Sequence, residues 1–303
     1  MLGLGTSINK GGFVSAASPD PLFLDTYSGA AAAYSLRKLS SSYSGPALQI
    51  RRASDNVEVD VSFDSSGVVS LDSPVTNVTE ETTGSNTSLV TSATNLGQFV
   101  ANASYTDADG LGSVDSALVQ NWYDQSSNSN DAIQSTAGSQ PKIVTNGVIE
   151  VENGKPAVQF YGTDDRLLTG VDLLIRGSFS VATATGTGAV FASADFGSEF
   201  LRSSNSTQYQ LRNGVRMNLA TDTTSQSLVY AANDTTSELA VNGATAVTDA
   251  GLQTDAFDSL VLGSGTAYFL NGNIQEVIIY ETNQSDYRTA IEDNINNFYN
   301  IYS

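Results

Sequence analysis

The side chains with the clearest chemical potential follow a short apolar run that ends in the only tryptophan of the chain. Trp122 and Tyr123 offer flat aromatic faces, and Asp124 opens a polar loop of Gln, Ser and Asn that continues to Asp131. Aromatic faces beside carboxylate and amide groups are typical of a ligand cleft such as a sugar site. The same pattern also fits a buried indole at a core corner, followed by a turn in which Asp and Asn bond to their own backbone. Both interpretations stay open for Trp122, Tyr123 and Asp124 as ligand-binding residues.

The composition restricts the catalytic chemistry that this chain can perform. Its 303 residues include no cysteine and no histidine. This excludes thiolate nucleophiles, Ser-His-Asp triads and nearly all zinc sites. Catalysis would therefore depend on carboxylates, tyrosine, lysine or an oxygen-bound cation such as Ca²⁺.

A cluster of aspartates supplies the weak candidates for a metal site. Asp107, Asp109 and Asp115 surround Gly110. An EF-hand loop needs ligands at alternate positions, Gly at the sixth and Glu at the twelfth, and this segment lacks that spacing. We therefore expect a solvated acidic loop and no cofactor, with Ca²⁺ as the alternative.

The formal net charge of −19 limits the partners. Nucleic acids and anionic membrane surfaces require a basic face, so neither is expected. The sequence has no run of 18 apolar residues that would span a membrane. Met1–Gly5 is apolar but precedes the first cation, Lys10, which is the reverse of the order in a secretory signal.

Short β-rich runs separated by turn signals predict the overall architecture. Asn-Gly, the strongest two-residue hairpin signal, occurs at 146–147, 153–154, 213–214, 242–243 and 271–272. Such a pattern favours a two-sheet sandwich. We expect an extended N-terminal arm over residues 1–24 and a sandwich domain over 25–303, with residues 64–116 as a loop-rich insertion or subdomain.

Four further elements are predicted from local patterns. The alanine-rich segment 28–39 favours a helix, with Ser28 as its N-cap. Alternation predicts a hairpin of strands 47–51 and 57–63. A short helix is expected near 95–103. A C-terminal helix from Ser285 is expected to pack one apolar stripe on a sheet.

Four segments together resemble one known family. They are residues 33–55, Trp122–Ser126, 140–158 and 271–278. The chain resembles the catalytic domain of family 54 α-L-arabinofuranosidases. The resemblance implies a mostly β fold, a concanavalin A-like or laminin-G-like two-sheet jelly-roll sandwich with an N-terminal and a C-terminal helix. Similar domains also resemble segments of tailed-bacteriophage virion proteins.

The catalytic residues of that family do not carry over completely. Its nucleophile is a Glu shortly after an Asp-aromatic-Gly segment. Here Asp195-Phe196-Gly197 resembles that segment, and Glu199 comes one residue early. The family's acid lies in a Gly-rich loop, and the matching residues 262–266 contain no carboxylate. Retaining hydrolysis needs two carboxyl groups about 5–5.5 Å apart. The resemblance thus implies Glu199 as a weak catalytic candidate and Asp195 as a ligand-binding residue, and we expect no enzyme activity.

The sequence favours a non-enzymatic structural protein of a tailed-phage virion, in a tail fibre, head fibre or decoration role. It would assemble in the host cytoplasm, become part of the virion, and form a homo-oligomer. Residues 1–24 would bind other virion proteins, and the lectin-like sandwich would face host-surface glycans. The alternatives are a glycoside hydrolase of arabinofuranosidase type and a secreted carbohydrate-binding module.

Overall fold

A computed structural model of the chain describes residues 21–79, 93–101, 114–193, 199–213, 215–249, 259–265 and 268–303. Among these residues, no helix is long and apolar enough to cross a membrane. The predictions for Asp107, Asp109 and Asp195 concern positions outside the described residues.

Strands dominate the fold. The α-helices among the described residues are α1 (Phe23–Thr26), α2 (Leu96–Ala101) and α3 (Arg288–Tyr299). The strands, in chain order from β1 to β22, are Ala30–Ser35, Leu48–Arg52, Glu58–Val61, Val75–Thr79, Ala117–Trp122, Ala132–Ile133, Lys142–Thr145, Val148–Ile149, Val151–Glu152, Lys155–Pro156, Val158–Tyr161, Leu167–Leu168, Gly177–Ala182, Gly188–Ser193, Glu199–Ser204, Gln208–Asn213, Val215–Ala220, Ser227–Asn233, Ser237–Val241, Val247–Asp249, Leu260–Leu262 and Asn271–Tyr280.

The strands form two antiparallel layers. Sheet I runs in the order β4, β3, β2, β5, β6, β12, β21, β14, β15, β16, β17. In sheet II the long strand β22 lies in the centre, with β1 and β11 along one edge and β13, β18, β19 and β20 following on the other. The layers join through β7, which pairs with both β5 and β11. The predicted mostly β, two-sheet sandwich is confirmed.

The main core lies between the two sheets because strand side chains alternate between faces. Leu48, Ile50 and Trp122 of sheet I and Val277 and Ile279 of sheet II are fully buried members of this cluster. Residues between the inward positions of sheet I therefore face away from the core.

A second apolar cluster covers the other face of sheet II. Phe23 and Leu24 of α1 and Ile291 and Ile295 of α3 pack there on strand residues such as Ile278. The predicted C-terminal helix and its packing on a sheet are confirmed. The last residues of the predicted N-terminal arm, Phe23 and Leu24, belong to this folded layer, while residues 1–20 lie outside the described residues.

The prediction of a helix over residues 28–39 is wrong. Ala30–Ser35 forms strand β1, which pairs with β22, and each of its residues is buried. Helix propensity is a weak preference that tertiary burial overrides. Small alanine side chains suit this strand because Ala31 and Ala32 pack in one core and Ala30 and Ala33 in the other.

Two of the local predictions are confirmed. Strands β2 and β3 form the expected hairpin, with Leu48 opposite Val61. Helix α2 buries Leu96, Phe99 and Val100 as expected.

Of the Asn-Gly pairs that the structure describes, three form turns and one lies in a strand. At 146–147, 153–154 and 242–243 both residues have positive φ, as a tight hairpin turn requires. The turn predicted at 271–272 is wrong, because both residues begin β22. Gly272 is needed there for a close approach, since an added Cβ would lie 2.1 Å from the Thr183 carbonyl oxygen.

Candidate functional site

One row of residues in register crosses sheet I on the face turned away from the core. From β4 to β14 the row consists of Thr76, Asp60, Gln49, Asn121, Ile133, Leu168, Val261 and Ala192, and the backbone of Glu199 on β15 pairs with Ala192 after a register shift. Directly opposed residues share one face of a sheet. Ile133 in the middle of the row is 46% exposed. We name this surface the outer face of sheet I.

Polar side chains continue this face beyond Glu199. Arg202 Nε donates to Gln210 Oε1 at 2.7 Å, and Gln210 Nε2 donates to Asn218 Oδ1 at 2.7 Å. The Arg202 guanidinium carbon lies 4.8 Å from the ring centre of Tyr268, which is 39% exposed. An exposed aromatic ring beside planar amide and guanidinium groups is suited to a polyhydroxylated ligand.

The fold brings together the two segments that carry the catalytic carboxyl groups in the family that the sequence resembles. Glu199 pairs with Ala192 on one side of β14, and the Gly263 N–H donates to the Val190 carbonyl on the other side. Two strand spacings, about 10 Å, therefore separate Glu199 from the Gly-rich loop. On the β14 side, the next two paired positions after Glu199 are Ala192 and then Val261, and neither supplies a second carboxyl group.

Asp165 is a carboxyl group with unusual chemistry that the sequence analysis missed. Burial raises its pKa to about 6, although the Tyr161 N–H bonds to it at 2.8 Å and opposes that shift. Asp165 precedes Leu167, which pairs with Leu262, so it lies near the start of the Gly-rich loop. The adjacent acidic residue, Asp164, was the signal available in the sequence.

Asp165 lies just before β12, and three strand spacings, about 14 Å, separate the backbones of β12 and β15. Burial is the largest cause of the raised pKa of Asp165.

The two aromatic candidates, Trp122 and Tyr123, differ in how deeply they are buried. Trp122 is fully buried in the main core and contacts the Tyr34 ring edge-on, with 6.2 Å between ring centres. Its indole N–H has no hydrogen-bond partner among the described residues. Tyr123 is half-buried and donates its hydroxyl to Asp60 at 2.9 Å. Burial, followed by this bond, raises the pKa of Tyr123 above its usual value.

Asp124 organises the loop that follows β5. Its Oδ1 accepts the N–H groups of Ala33 and Ser126 at 2.8 Å each. Its Oδ2 accepts the Ser126 hydroxyl at 2.6 Å and the Asn130 N–H at 3.0 Å. With four bonds to its own chain, the buried carboxylate ties the loop to β1.

Asp115 has a similar local role among the metal candidates. Its carboxylate accepts the N–H groups of Ser54 and Ser116 at 2.9 and 2.7 Å. Within the described ranges, no three His, Cys, Asp or Glu side chains are grouped as metal ligands.

Comparison with known proteins gives a likeness of fold. No protein-family model and no curated protein sequence matches the chain. A solved arabinofuranosidase bound to arabinofuranosyl-α-1,2-xylobiose is similar over 90% of this chain, with a TM-score of 0.54 and 15% identity. A glutamate-to-glutamine variant of a family 54 α-L-arabinofuranosidase, soaked with 4-nitrophenyl α-L-arabinofuranoside, gives a TM-score of 0.50 and 16% identity. This chain covers 64% of the length of each. A Ruminococcus gnavus sialidase carbohydrate-binding domain matches 45% of this chain and 95% of its own, with 14% identity and a TM-score of 0.33, too low to bear on the fold.

These findings correct the prediction that the protein is not an enzyme. Both of these similar structures are glycoside hydrolases, so the fold itself gives no ground for that prediction. The prediction rested on the missing carboxylate in residues 262–266. A fold supports many arrangements of site residues, so one vacant loop position does not exclude catalysis.

Proposed function

We propose that the protein is a glycoside hydrolase that binds its glycan on the outer face of sheet I and cleaves an arabinofuranosyl linkage beside Glu199. The observation that supports this most is the backbone pairing of Glu199 with Ala192, because Ala192 lies in the row that crosses this face. The arginine and amide network of Arg202 and Gln210 continues the same face.

Glu199 would act as the nucleophile, and a second carboxyl group would protonate the leaving oxygen. In the sequence, Asp195 precedes Glu199 by four residues, and Asp255 and Asp258 precede Ser259. Ser193 and Leu260, which flank these two segments in the chain, pair directly in the sheet. The acid is therefore sought among these three aspartates by asparagine substitution.

Hydrolysis of an aryl α-L-arabinofuranoside tests the proposal. Glu199→Gln is expected to lower kcat/KM by about a hundredfold or more, since it removes a catalytic carboxyl group. Glu281→Gln is the matched control, because Glu281 is exposed just after β22 in the other sheet. Trp122 fluorescence checks that both variants fold. Absence of turnover by the unmodified protein, or turnover that Glu199→Gln leaves unchanged, would contradict the proposal.

Assembly into a phage virion stays a proposal. It rests on the resemblance of the sequence to virion proteins, and an enzyme displayed on a particle would meet host-surface glycans. Contacts through residues 1–24 and a homo-oligomeric state belong to the same proposal. Mass spectrometry of purified particles tests it, and a chain found only outside them would speak against it.

A further inference from the structure

The outer face of sheet I holds polar atoms that are buried without a hydrogen-bond partner among the described residues. They include Oδ1 of Asn121 and Nε of Arg166. Asn121 belongs to the row that crosses this face and is 8% exposed. Arg166 directly precedes Leu167 of β12, whose side chain lies in the main core, so Arg166 is placed on the outer face. Buried polar groups are nearly always paired, so these two call for an explanation.

The charge of Arg166 has no counterpart within the described part of the chain. The adjacent Asp165 accepts the Tyr161 N–H at 2.8 Å. Asp164 accepts the Thr163 hydroxyl at 2.9 Å. No hydrogen bond or ion pair joins the Arg166 guanidinium to another described residue. A guanidinium donates and never accepts, so a partly buried one costs stability until a partner supplies oxygen atoms.

An exposed apolar pair separates these two polar side chains. Ile133 pairs with Asn121 on one side and with Leu168 on the other, and it is 46% exposed. Arg166 lies two residues, about 7 Å, from Leu168 along the strand direction. An apolar surface with a few polar groups directed at it is the usual lining of a ligand site.

The amide oxygen of Asn121 lies on the same side of Ile133 as the arginine. Burial raises the pKa of Asp131, and a hydrogen bond from the Asn121 side chain opposes that shift, so the amide nitrogen faces Asp131 and the oxygen faces away. Antiparallel pairing of β6 with β12 places Asp131 on one side of Ile133 and Arg166 on the other. Exposed side chains change rotamer within nanoseconds, and rotation of Ile133 would uncover the oxygen.

We propose that Asn121, Ile133, Leu168 and Arg166 form a remote subsite that holds a sugar unit of a neutral glycan chain. A sugar hydroxyl can donate to the amide oxygen and accept from the guanidinium. An anion alone would satisfy the guanidinium but would place a second acceptor against the Asn121 oxygen. The apolar face of the sugar ring would lie on Ile133.

The distance of this subsite from Glu199 defines the ligand as a chain. Four strand spacings, about 19 Å, separate β6 from β15. A single sugar unit does not extend across both places. The inference rests on the proposed action on carbohydrate and adds that the bound glycan has several sugar units.

Affinity electrophoresis tests the inference in gels that contain a soluble polysaccharide. The neutral probes are an arabinan, a galactan, an arabinoxylan and a mixed-linkage β-glucan, and polygalacturonate is the acidic comparison. At least one neutral probe is expected to retard the protein, and the dependence on its concentration gives the dissociation constant. The measurement requires no turnover, so it is independent of the arabinofuranoside assay.

Arg166→Met is expected to weaken binding of the retarding probe about tenfold or more, since hydrogen bonds from charged groups are the stronger ones. Its melting temperature should be unchanged or higher, because it removes an unpaired charge and keeps an apolar stem. Lys38→Met is the control, because it removes the same charge beside Gly67 in another part of the fold.

Ile133→Ser is expected to weaken binding about threefold or more, since it removes apolar surface that the sugar would cover. Val148→Ser is the control, because Val148 is a 67% exposed apolar residue on β8. Trp122 fluorescence verifies that all four variants fold.

No retardation by any neutral probe, or retardation by polygalacturonate alone, would overturn the inference. So would losses in the Lys38 and Val148 variants as large as those in the Arg166 and Ile133 variants. A lower melting temperature of Arg166→Met would also overturn it, since the arginine would then serve the fold. If a neutral probe binds but the arabinofuranoside is not cleaved, the subsite stands and the proposed hydrolase falls; the reverse result removes the subsite alone.

Discussion

Replacing Glu276 by glutamine should destabilise the protein more than the same substitution at any other glutamate on a strand. Glu276 lies on the central strand β22 and is 1% exposed. Its Oε2 accepts Arg37 Nε at 2.8 Å and the Ser35 hydroxyl at 2.7 Å, and its Oε1 accepts Arg37 Nη2 at 3.0 Å. Tyr299 of α3 donates to Oε2 at 3.3 Å. One carboxylate thus links β1, β22 and the C-terminal helix.

The expected cost follows from the charge that the substitution leaves behind. Removing one partner of a buried ion pair costs about 3–5 kcal/mol, because the other charge stays buried without compensation. Glutamine keeps one acceptor oxygen, so we expect the lower end, about 3 kcal/mol. Unfolding entropy of ~2.1 cal/mol/K per residue gives ~0.64 kcal/mol/K for the chain, and the melting temperature should fall by about 5 °C.

Urea unfolding followed by Trp122 fluorescence measures this loss. The single tryptophan is fully buried between the sheets, so its emission reports exposure of the main core. Glu281→Gln, at an exposed position, should change the free energy of unfolding by less than about 0.5 kcal/mol. The pair Arg37→Met with Glu276→Leu should recover at least half of the loss, since it removes both charges. A loss at Glu276 no larger than at Glu281, or a double variant as unstable as Glu276→Gln, would refute the reasoning.

Two more predictions concern single positions. The pKa of Asp165 is raised from 3.8 to about 6, so the folded state holds its proton more tightly than the unfolded state, and this group costs stability as pH rises from about 4 to about 6. Asp165→Asn should therefore reduce the loss of unfolding free energy across that window, whereas the exposed Asp164→Asn should reduce it less, because the Asp164 charge contributes less to the raised pKa than burial does. Identical pH profiles for all three proteins would argue against burial as the cause. Gly272→Ala should cost about 1–3 kcal/mol in urea unfolding, because its Cβ would overlap the Thr183 carbonyl, while Gly138→Ala, with nothing within 4 Å of its Cβ, should be tolerated. Equal stabilities of the two alanine variants would show that β22 can shift away from Thr183.

The sequence predicted those elements whose pattern of apolar and polar residues matches which of their faces is buried. The β2–β3 hairpin alternates because one face meets the core and the other does not. Helix α3 shows a single apolar stripe because one of its sides packs on the outer face of sheet II. The alanine-rich strand β1 has no such signal, since both of its faces are buried.

The outer face of sheet I could not be assembled from sequence. Its members come from strands far apart in the chain, and their order depends on pairings such as Leu168 with Ile133 and with Val261. The local motif that looked most like a sugar site behaves differently, because Trp122 faces the core and Asp124 bonds to its own loop. Arg202 and Gln210 form no motif in the sequence, because their side chains come together only through the pairing of β15 with β16.

The position of β22 has a consequence for synthesis of the protein. This strand holds the middle of sheet II, yet it follows β1, β11 and β13 in the chain, the last of which ends at Ala182, whereas β22 begins at Asn271. Strands β1, β11 and β13 must therefore wait, unpaired along these edges, until β22 has been made. Such distant pairings close slowly and leave nascent strands open to wrong partners. The nascent chain therefore needs protection until β22 leaves the ribosome.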